Sequence, residues 1–497
     1  ASGKYFTAGD ACPRLPYHGG DSVIYNLPRA AKQVDPWPNN LNAVLEFASD
    51  APFKVACAYK KWNGVIEYNN GSGWQTWGGE SVASSDRNGA QSIYFRGTGN
   101  TNITVYNSGN WTLSGSNIAC NGNIETLLDW EQVVAGNNPV ISDYCFARLF
   151  KNCEALVKAP DLPSTILGSY CYMNMFEGCT GLLRAPALPA IALKNKCYNG
   201  MFNGCTSLTE APDLPSTDLA SGCYWAMFSG CTSLKKAPAL PALVVGSDCY
   251  NSMFRRCTSL REAPALPATV LNSQTCYSEM FSGCTSLITA PALPAKTVPT
   301  CGYEGMFDGC TSLKEAPALP ATTLSNKCYA TMFRGCTNLT TPPPTLPAET
   351  LLQYSYDKMF YGCKSLTVAP QIMATTLGYA SCRSMFEGCT NLTQIHGLSA
   401  TATATDCCLY MFKDCVSLKM ITVLPALTLA SGCYSAMFRG CTGIKLSATQ
   451  AGSYTKAYRV PTSGNGKDDS FNKTSLTDMF TATGGTFTGT PTINTTY

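Results

Sequence analysis

Along most of the chain the apolar residues recur at one fixed interval. A Met-Phe pair followed closely by cysteine returns so that the cysteines stand at 153, 179, 205, 231, 257, 284, 310, 336, 363, 389, 415 and 441, always 26 or 27 residues apart. A unit that short cannot bury its own apolar face, so twelve copies in register predict a stacked solenoid. In the copy at 223–248, Tyr224, Met227 and Phe228 fall at i, i+3 and i+4, which predicts a short helical turn. Gly230 ends that turn. Cys231, Leu234, Ala237 and Leu240 then point inward along an extended segment, while Lys235 and Lys236 face solvent. Pro238 and Pro241 lack an N–H, so the ladder between copies is expected to be only two or three residues wide.

Outside the repeats the pattern changes. Residues 1–50 are broken by Pro13, Pro16, Pro28, Pro36 and Pro38 and read as an irregular arm, with Trp37 as a packing residue. From 51 to 120 the period becomes two: Phe53, Val55, Cys57 and Tyr59 alternate with less apolar neighbours. Val65–Tyr68 and Trp74–Trp77 flank the hairpin signal Asn69-Asn-Gly-Ser-Gly73, and 92–96, 103–106 and 111–113 add further short strands. A small antiparallel β-sandwich is expected there. Residues 121–144 hold an amphipathic helix, 123–134, capped by Asn123 and suited to cover the first rung of the repeats at 145–446. Residues 447–497 read as a C-terminal cap in which Leu476-Thr-Asp-Met-Phe480 echoes the repeat and a short strand lies near 486–492. The fold class is thus an α/β repeat solenoid of leucine-rich-repeat type, with short helical turns and short extended rungs, preceded by the β-sandwich.

At Cys231, Leu234, Ala237, Leu240, Pro241, Met253, Phe254 and Cys257 the repeat resembles the BspA-like leucine-rich-repeat family of bacterial surface proteins. It departs from that family's unit in carrying alanine at the isoleucine position and an extra proline after it. The resemblance implies a right-handed solenoid displayed outside the cell and used for attachment.

Composition narrows the function. Charged residues make up 13%, the net charge is +3 and no block of like charge occurs, so neither a nucleic-acid nor an electrostatic membrane partner is expected. No run of 18 apolar residues would span a bilayer, and Ala1-Ser-Gly-Lys-Tyr-Phe6 carries no apolar signal core. Of the 27 cysteines, 24 lie in the repeats. Each has two equivalent neighbours along its column, and Ser355 interrupts the first column, so the columns are expected to be buried and reduced. There is no C-x-x-C, and His18 and His396 are the only histidines, so neither a metal, a cofactor nor Ser/His/Asp or Cys/His catalysis is expected.

The positions free to vary are the pairs after the leucine column: Thr209-Glu210, Lys235-Lys236, Arg261-Glu262, Ile288-Thr289, Lys314-Glu315 and Thr340-Thr341. Trp225 replaces a small or polar residue in its copy. These residues are the candidate binding surface. The function expected is non-enzymatic recognition or adhesion at a bacterial cell surface, with a protein or glycan as partner. A virion attachment protein and a passive spacer are the alternatives.

Overall fold

The structure is a computed structural model and describes residues 37–449, 458–462, 464–470 and 474–497. Most of the expected arm, with His18, lies outside the described residues.

Strands β1 (Leu45–Ser49), β2 (Lys54–Ala56), β3 (Val65–Asn69), β4 (Gln75–Thr76), β5 (Val82–Ala83), β6 (Ser85–Arg87), β7 (Ala90–Thr98), β8 (Thr112–Ser114) and β9 (Ile118–Asn121) build the β-rich N-terminal region. One sheet runs β9-β1-β7-β3-β4, with β6 also on β7, and a second runs β5-β2-β8. The β3–β4 pairing matches the expected hairpin, with Glu67 opposite Thr76 and Tyr68 opposite Gln75. Two corrections follow. Strand β1 falls inside the stretch read as an arm, because the inward alternation of Leu45, Phe47 and Ser49 was masked by neighbouring prolines. Residues 103–106 form no strand; Ile103 and Thr104 instead donate N–H bonds to Cys145 O of the first repeat, at 3.0 and 3.1 Å. Trp37 packs as expected, edge-on to Tyr94 with centroids 5.7 Å apart.

Helix α1 (Thr126–Val134) is shorter than expected and broken at Asp129, whose φ of −157° is not helical. Asp129 Oδ1 accepts the Gln132 N–H at 3.1 Å and so caps the second turn. Asn123 Oδ1 accepts the Glu125 N–H at 2.8 Å, ahead of the helix. The carbonyls freed at the break are taken by Asn100, whose N–H reaches Leu128 O and whose Nδ2 reaches Leu127 O. A Cβ on Gly97 would meet Leu127 O at 1.7 Å, so β7 needs glycine where the helix crosses it.

In the repeats the expected helical turns are absent: no α-helix occurs there among the described residues. Each copy, from two residues before its tyrosine to its closing cysteine, is instead a ribbon of tight turns with a left-handed residue at every fourth position. In one copy these are Asp248, Ser252 and Arg256, with φ of 56°, 55° and 59°. The third such position is usually glycine, as at Gly230 and Gly283, with φ of 74° and 75°. The N–H groups alternate in use. Tyr250, Ser252, Phe254 and Arg256 donate to Cys276, Ser278, Met280 and Ser282 of the next copy, while Asn251, Met253, Arg255 and Cys257 donate three residues back within their own. Every backbone donor of the ribbon is thereby satisfied, half of them sideways.

Side chains follow the same four-residue beat, two in and two out. Cys223, Tyr224, Met227, Phe228 and Cys231 are all buried. Phenylalanines from Phe150 to Phe480 form one continuous stack with centroids 5.4–5.8 Å apart. Tyrosines stack beside them from Tyr172 to Tyr329 at 5.5–6.1 Å. Each aromatic contact adds roughly 0.5–1.5 kcal/mol beyond burial. The cysteine closing each ribbon donates its thiol to the phenylalanine carbonyl of the preceding copy, from Cys179 on Phe150 to Cys441 on Phe412, at 3.0–3.1 Å.

Both ends of the array are covered. At the start, Leu156–Lys158 (β10) extends the first sheet as a parallel neighbour of β9. Trp111 N donates to Leu149 O at 2.7 Å, and the Cys153 thiol donates to Trp111 O at 3.3 Å. The β-rich region therefore covers the first rung more directly than helix α1 does. At the far end Met479 and Phe480 continue their columns, and Phe438 donates its N–H to Met479 O at 3.0 Å. No strand lies at 486–492; the closing pairs are Gly484–Gly485 on Lys445–Leu446 and Thr495–Thr496 on Arg459–Val460.

Two outcomes are expected. Replacing Phe254 with Ala opens the aromatic stack and should cost about 3–5 kcal/mol in chemical denaturation. Glu125 is fully buried, neither carboxylate oxygen has a hydrogen-bond partner among the described residues, and this desolvation raises its pKa from 4.5 to about 7. The folded chain then holds a proton that the unfolded chain releases, so stability falls as pH rises from about 4.5 to 7, by about 3 kcal/mol in all. Melting of Glu125→Gln should lack that decline.

Candidate recognition surface

Each ribbon ends at its cysteine, and the chain then runs through the buried leucine column before reaching the surface. Leu208, Leu234, Leu260, Leu287, Leu313 and Leu339 are buried, and the next two residues of each copy are exposed. Thr209-Glu210, Lys235-Lys236, Arg261-Glu262 and Lys314-Glu315 therefore all project into solvent. Parallel bridges join them into a column: Arg184 with Glu210, Glu210 with Lys236, Glu262 with Thr289, and Glu315 with Thr341. The backbone of the first member takes part as well. Lys235 N donates to Thr209 O at 3.3 Å, Ile288 N to Arg261 O at 2.9 Å, and Thr340 N to Lys314 O at 2.9 Å. The ladder is one residue pair wide because Pro238 and its equivalents follow within three residues and cannot donate.

Charge divides the surface of the array into two kinds. On the turn ribbons, ion pairs link one copy to the next: Lys151–Glu177 at 2.8 Å, Arg255–Glu279 at 3.2 Å, Asp357–Arg383 at 2.9 Å and Glu387–Lys413 at 2.7 Å. On the ladder, none of Glu210, Lys235, Lys236, Arg261, Glu262, Lys314 or Glu315 makes an ion pair among the described residues. Basic residues dominate from Arg184 to Arg261, and uncharged threonines follow at 340, 341, 367 and 393. Beside the ladder a shallow groove is lined by Lys236, Pro238, Leu240, Pro241, Pro264 and Pro267.

Trp225 does not join this column. It sits in a turn ribbon, its N–H bonded to Gly222 O at 3.1 Å, its ring half-buried with Lys196 Nζ 5.0 Å from the centroid. His396 is exposed, and its carbonyl accepts the Thr422 hydroxyl at 2.9 Å.

A second ladder, not among the candidate residues, runs along the repeats. Two-residue strands at Val244–Val245, Val270–Leu271, Thr297–Val298, Thr323–Leu324, Thr350–Leu351 and Thr376–Leu377 pair in parallel, two by two, each with its first residue exposed and its second buried. Its exposed side is apolar at one end, where Ile166, Ile191 and Leu243 are 78, 65 and 61% exposed, and rich in threonine at the other. A groove at the threonine end is lined by Thr322, Thr323, Pro347, Glu349, Thr350 and Leu352. The signal was available: an apolar residue recurs at 193, 219, 245, 271, 298, 324, 351 and 377, in a stretch whose other positions vary.

Among the described residues no group of three His, Cys, Asp or Glu side chains is placed to hold a metal. No described helix is long and apolar enough to cross a membrane.

Comparison with known proteins agrees with the repeat reading. A family described as BspA type leucine rich repeat region matches residues 188–314, 247–367 and 322–445, together more than half of the chain. A leucine-rich repeat protein from Bacteroides ovatus is 18% identical, with 62% of this chain and 82% of that one covered and a TM-score of 0.36. A leucine rich cell surface protein from Faecalibacterium prausnitzii is 15% identical, covering 68% of this chain and 89% of that one, with a TM-score of 0.32. No curated protein matches the chain.

Because these ladder charges are exposed and make no ion pair among the described residues, reversing Lys235, Lys236 and Arg261 to Glu together should leave stability within about 0.5 kcal/mol per site. A thermal melt of the triple variant checks this.

Proposed function

The chain belongs to the BspA type leucine-rich repeat family, and from that premise we propose that it is a non-enzymatic recognition protein at a bacterial surface. In this reading the repeats wind into a solenoid and the two N-terminal sheets close as a β-sandwich over its first rung. The binding surface is the ladder at Thr209, Glu210, Lys235, Lys236, Arg261, Glu262, Lys314 and Glu315, and the partner is a protein or a glycan carried on another cell.

One observation carries the reading. On the turn ribbons the inward positions are committed to stacking, and outward charges such as Lys151, Arg255, Arg383 and Lys413 are committed to ion pairs between copies. The ladder pairs are exposed, contiguous from copy to copy, varied in chemistry and without ion pairs among the described residues. Unpaired charge in a row sets specificity and association rate toward a complementary surface. Trp225 belongs to a separate strip in this reading, with its ring engaged by Lys196.

The test measures whole-cell or glycan-array binding by the Lys235→Glu, Lys236→Glu, Arg261→Glu variant beside a Lys60→Glu, Lys61→Glu variant of the β-rich region. Both lysine sets are exposed. Lost or weakened binding in the ladder variant alone is the expected result. Loss in the β-region variant alone would make the repeats a spacer. Deleting residues 51–120 is no substitute, because those residues cover the first rung.

A further inference from the structure

The thiols that close the ribbons have a role that burial alone does not require. From Cys179 to Cys441, each donates to a phenylalanine carbonyl of the preceding copy, at 3.0–3.1 Å in every case. That carbonyl already accepts the N–H of the cysteine in its own copy; Phe228 O, for example, takes Cys231 N at 3.1 Å and the Cys257 thiol at 3.1 Å. The thiol thus fills the second acceptor position of a buried carbonyl, which would otherwise lose it on leaving water.

A disulfide has no S–H to donate. Joining Cys231 to Cys257 would remove both donors, and each cysteine in mid-column has two equivalent neighbours, so oxidation has no single native pairing to favour. All of these cysteines are free and buried. The first column differs. There Ser355 replaces cysteine and donates its hydroxyl to Leu352 O at 2.9 Å, as the Cys276 thiol does to Ser273 O at 2.7 Å. The second column has no such replacement in any of its twelve copies.

We propose that the repeat array forms only from a chain whose ribbon-closing cysteines are thiols, so that the protein folds under reducing conditions and the finished stack then shields those thiols from disulfide oxidants. The chemistry at issue is exchange with a low-molecular-weight disulfide such as glutathione disulfide. A protein thiolate attacks one sulfur and releases one glutathione thiolate, and a second protein thiolate displaces the other. Two protein thiols lose two electrons and two protons, and one disulfide is reduced to two glutathione molecules. The unfolded chain offers solvated thiols to this reaction. The folded one does not: burial lifts the Cys284, Cys389 and Cys441 thiols to about 12 and the others of the column likewise upward, and the thiol rather than the thiolate is inert. The inference does not depend on which partner the ladder binds.

The test uses the full chain. Protein unfolded in guanidinium with reductant is diluted into excess reduced dithiothreitol or, after removal of the reductant, into a mixture of reduced and oxidised glutathione. Native protein is scored by near-ultraviolet circular dichroism and gel filtration, and modified cysteines are mapped by mass spectrometry. Recovery in dithiothreitol, with loss of most native signal in the glutathione mixture and modified ribbon-closing cysteines in the trapped chains, is the expected result. Native protein transferred to the same mixture should keep its signal and its free thiols. Equal recovery in both buffers would overturn the proposal, as would trapped chains with these cysteines free, or native protein modified at them as fast as unfolded chain.

Discussion

The array depends on a backbone constraint: one residue in four must take the left-handed conformation. That kink rotates successive peptide planes so that alternate N–H groups point along the stack, and the remainder close turns within the copy. Without it the segment would satisfy its donors internally, as a helix does, and one copy would have no backbone claim on the next. The cost is tangible, because β-branched Thr275 and Thr331 sit at φ of 56° and 54°, a conformation worth roughly 1–2 kcal/mol against an L-residue. Cross-copy hydrogen bonds and the aromatic stack offset it.

The same beat sorts the side chains. Two in every four face inward and build the columns of Tyr, Met, Phe and Cys. The outward pairs on the ribbons carry charges that bind neighbour to neighbour, as Arg383 does with Asp357. Such pairs are individually weak at a surface, but they occupy that face. The ladder after the leucine column is held by backbone bonds, which leaves its side chains chemically uncommitted. In the proposed reading, structure and recognition fall to different strips of one repeat.

The period, the copy number and the inward columns were legible in the sequence, because stacking demands the same residue at the same place in every copy. The closing echo at Leu476–Phe480 was legible for the same reason. The ribbon was misread as helical because Tyr224, Met227 and Phe228 satisfy i, i+3, i+4. The pairs Cys223-Tyr224 and Met227-Phe228 followed by Cys231 fit a period of four better, and the glycines four apart at 200 and 204 mark its left-handed positions. Ladder partners lie a full copy away, so local pattern does not show which residues pair. Of the candidate residues, the column from Thr209 to Glu315 was found from its variability, whereas Trp225 was grouped with it only by being aromatic. The second ladder was passed over because its exposed residues range from valine to threonine.

The most direct test of the left-handed beat is a single exposed residue. Arg256 holds the position that is glycine in most copies, at φ 59°, and makes no ion pair among the described residues. Equilibrium denaturation of Arg256→Gly should show a gain of about 1 kcal/mol, because glycine adopts this conformation without the Cβ clash. A loss of about 1 kcal/mol, the usual effect of glycine within a helix, would contradict the account.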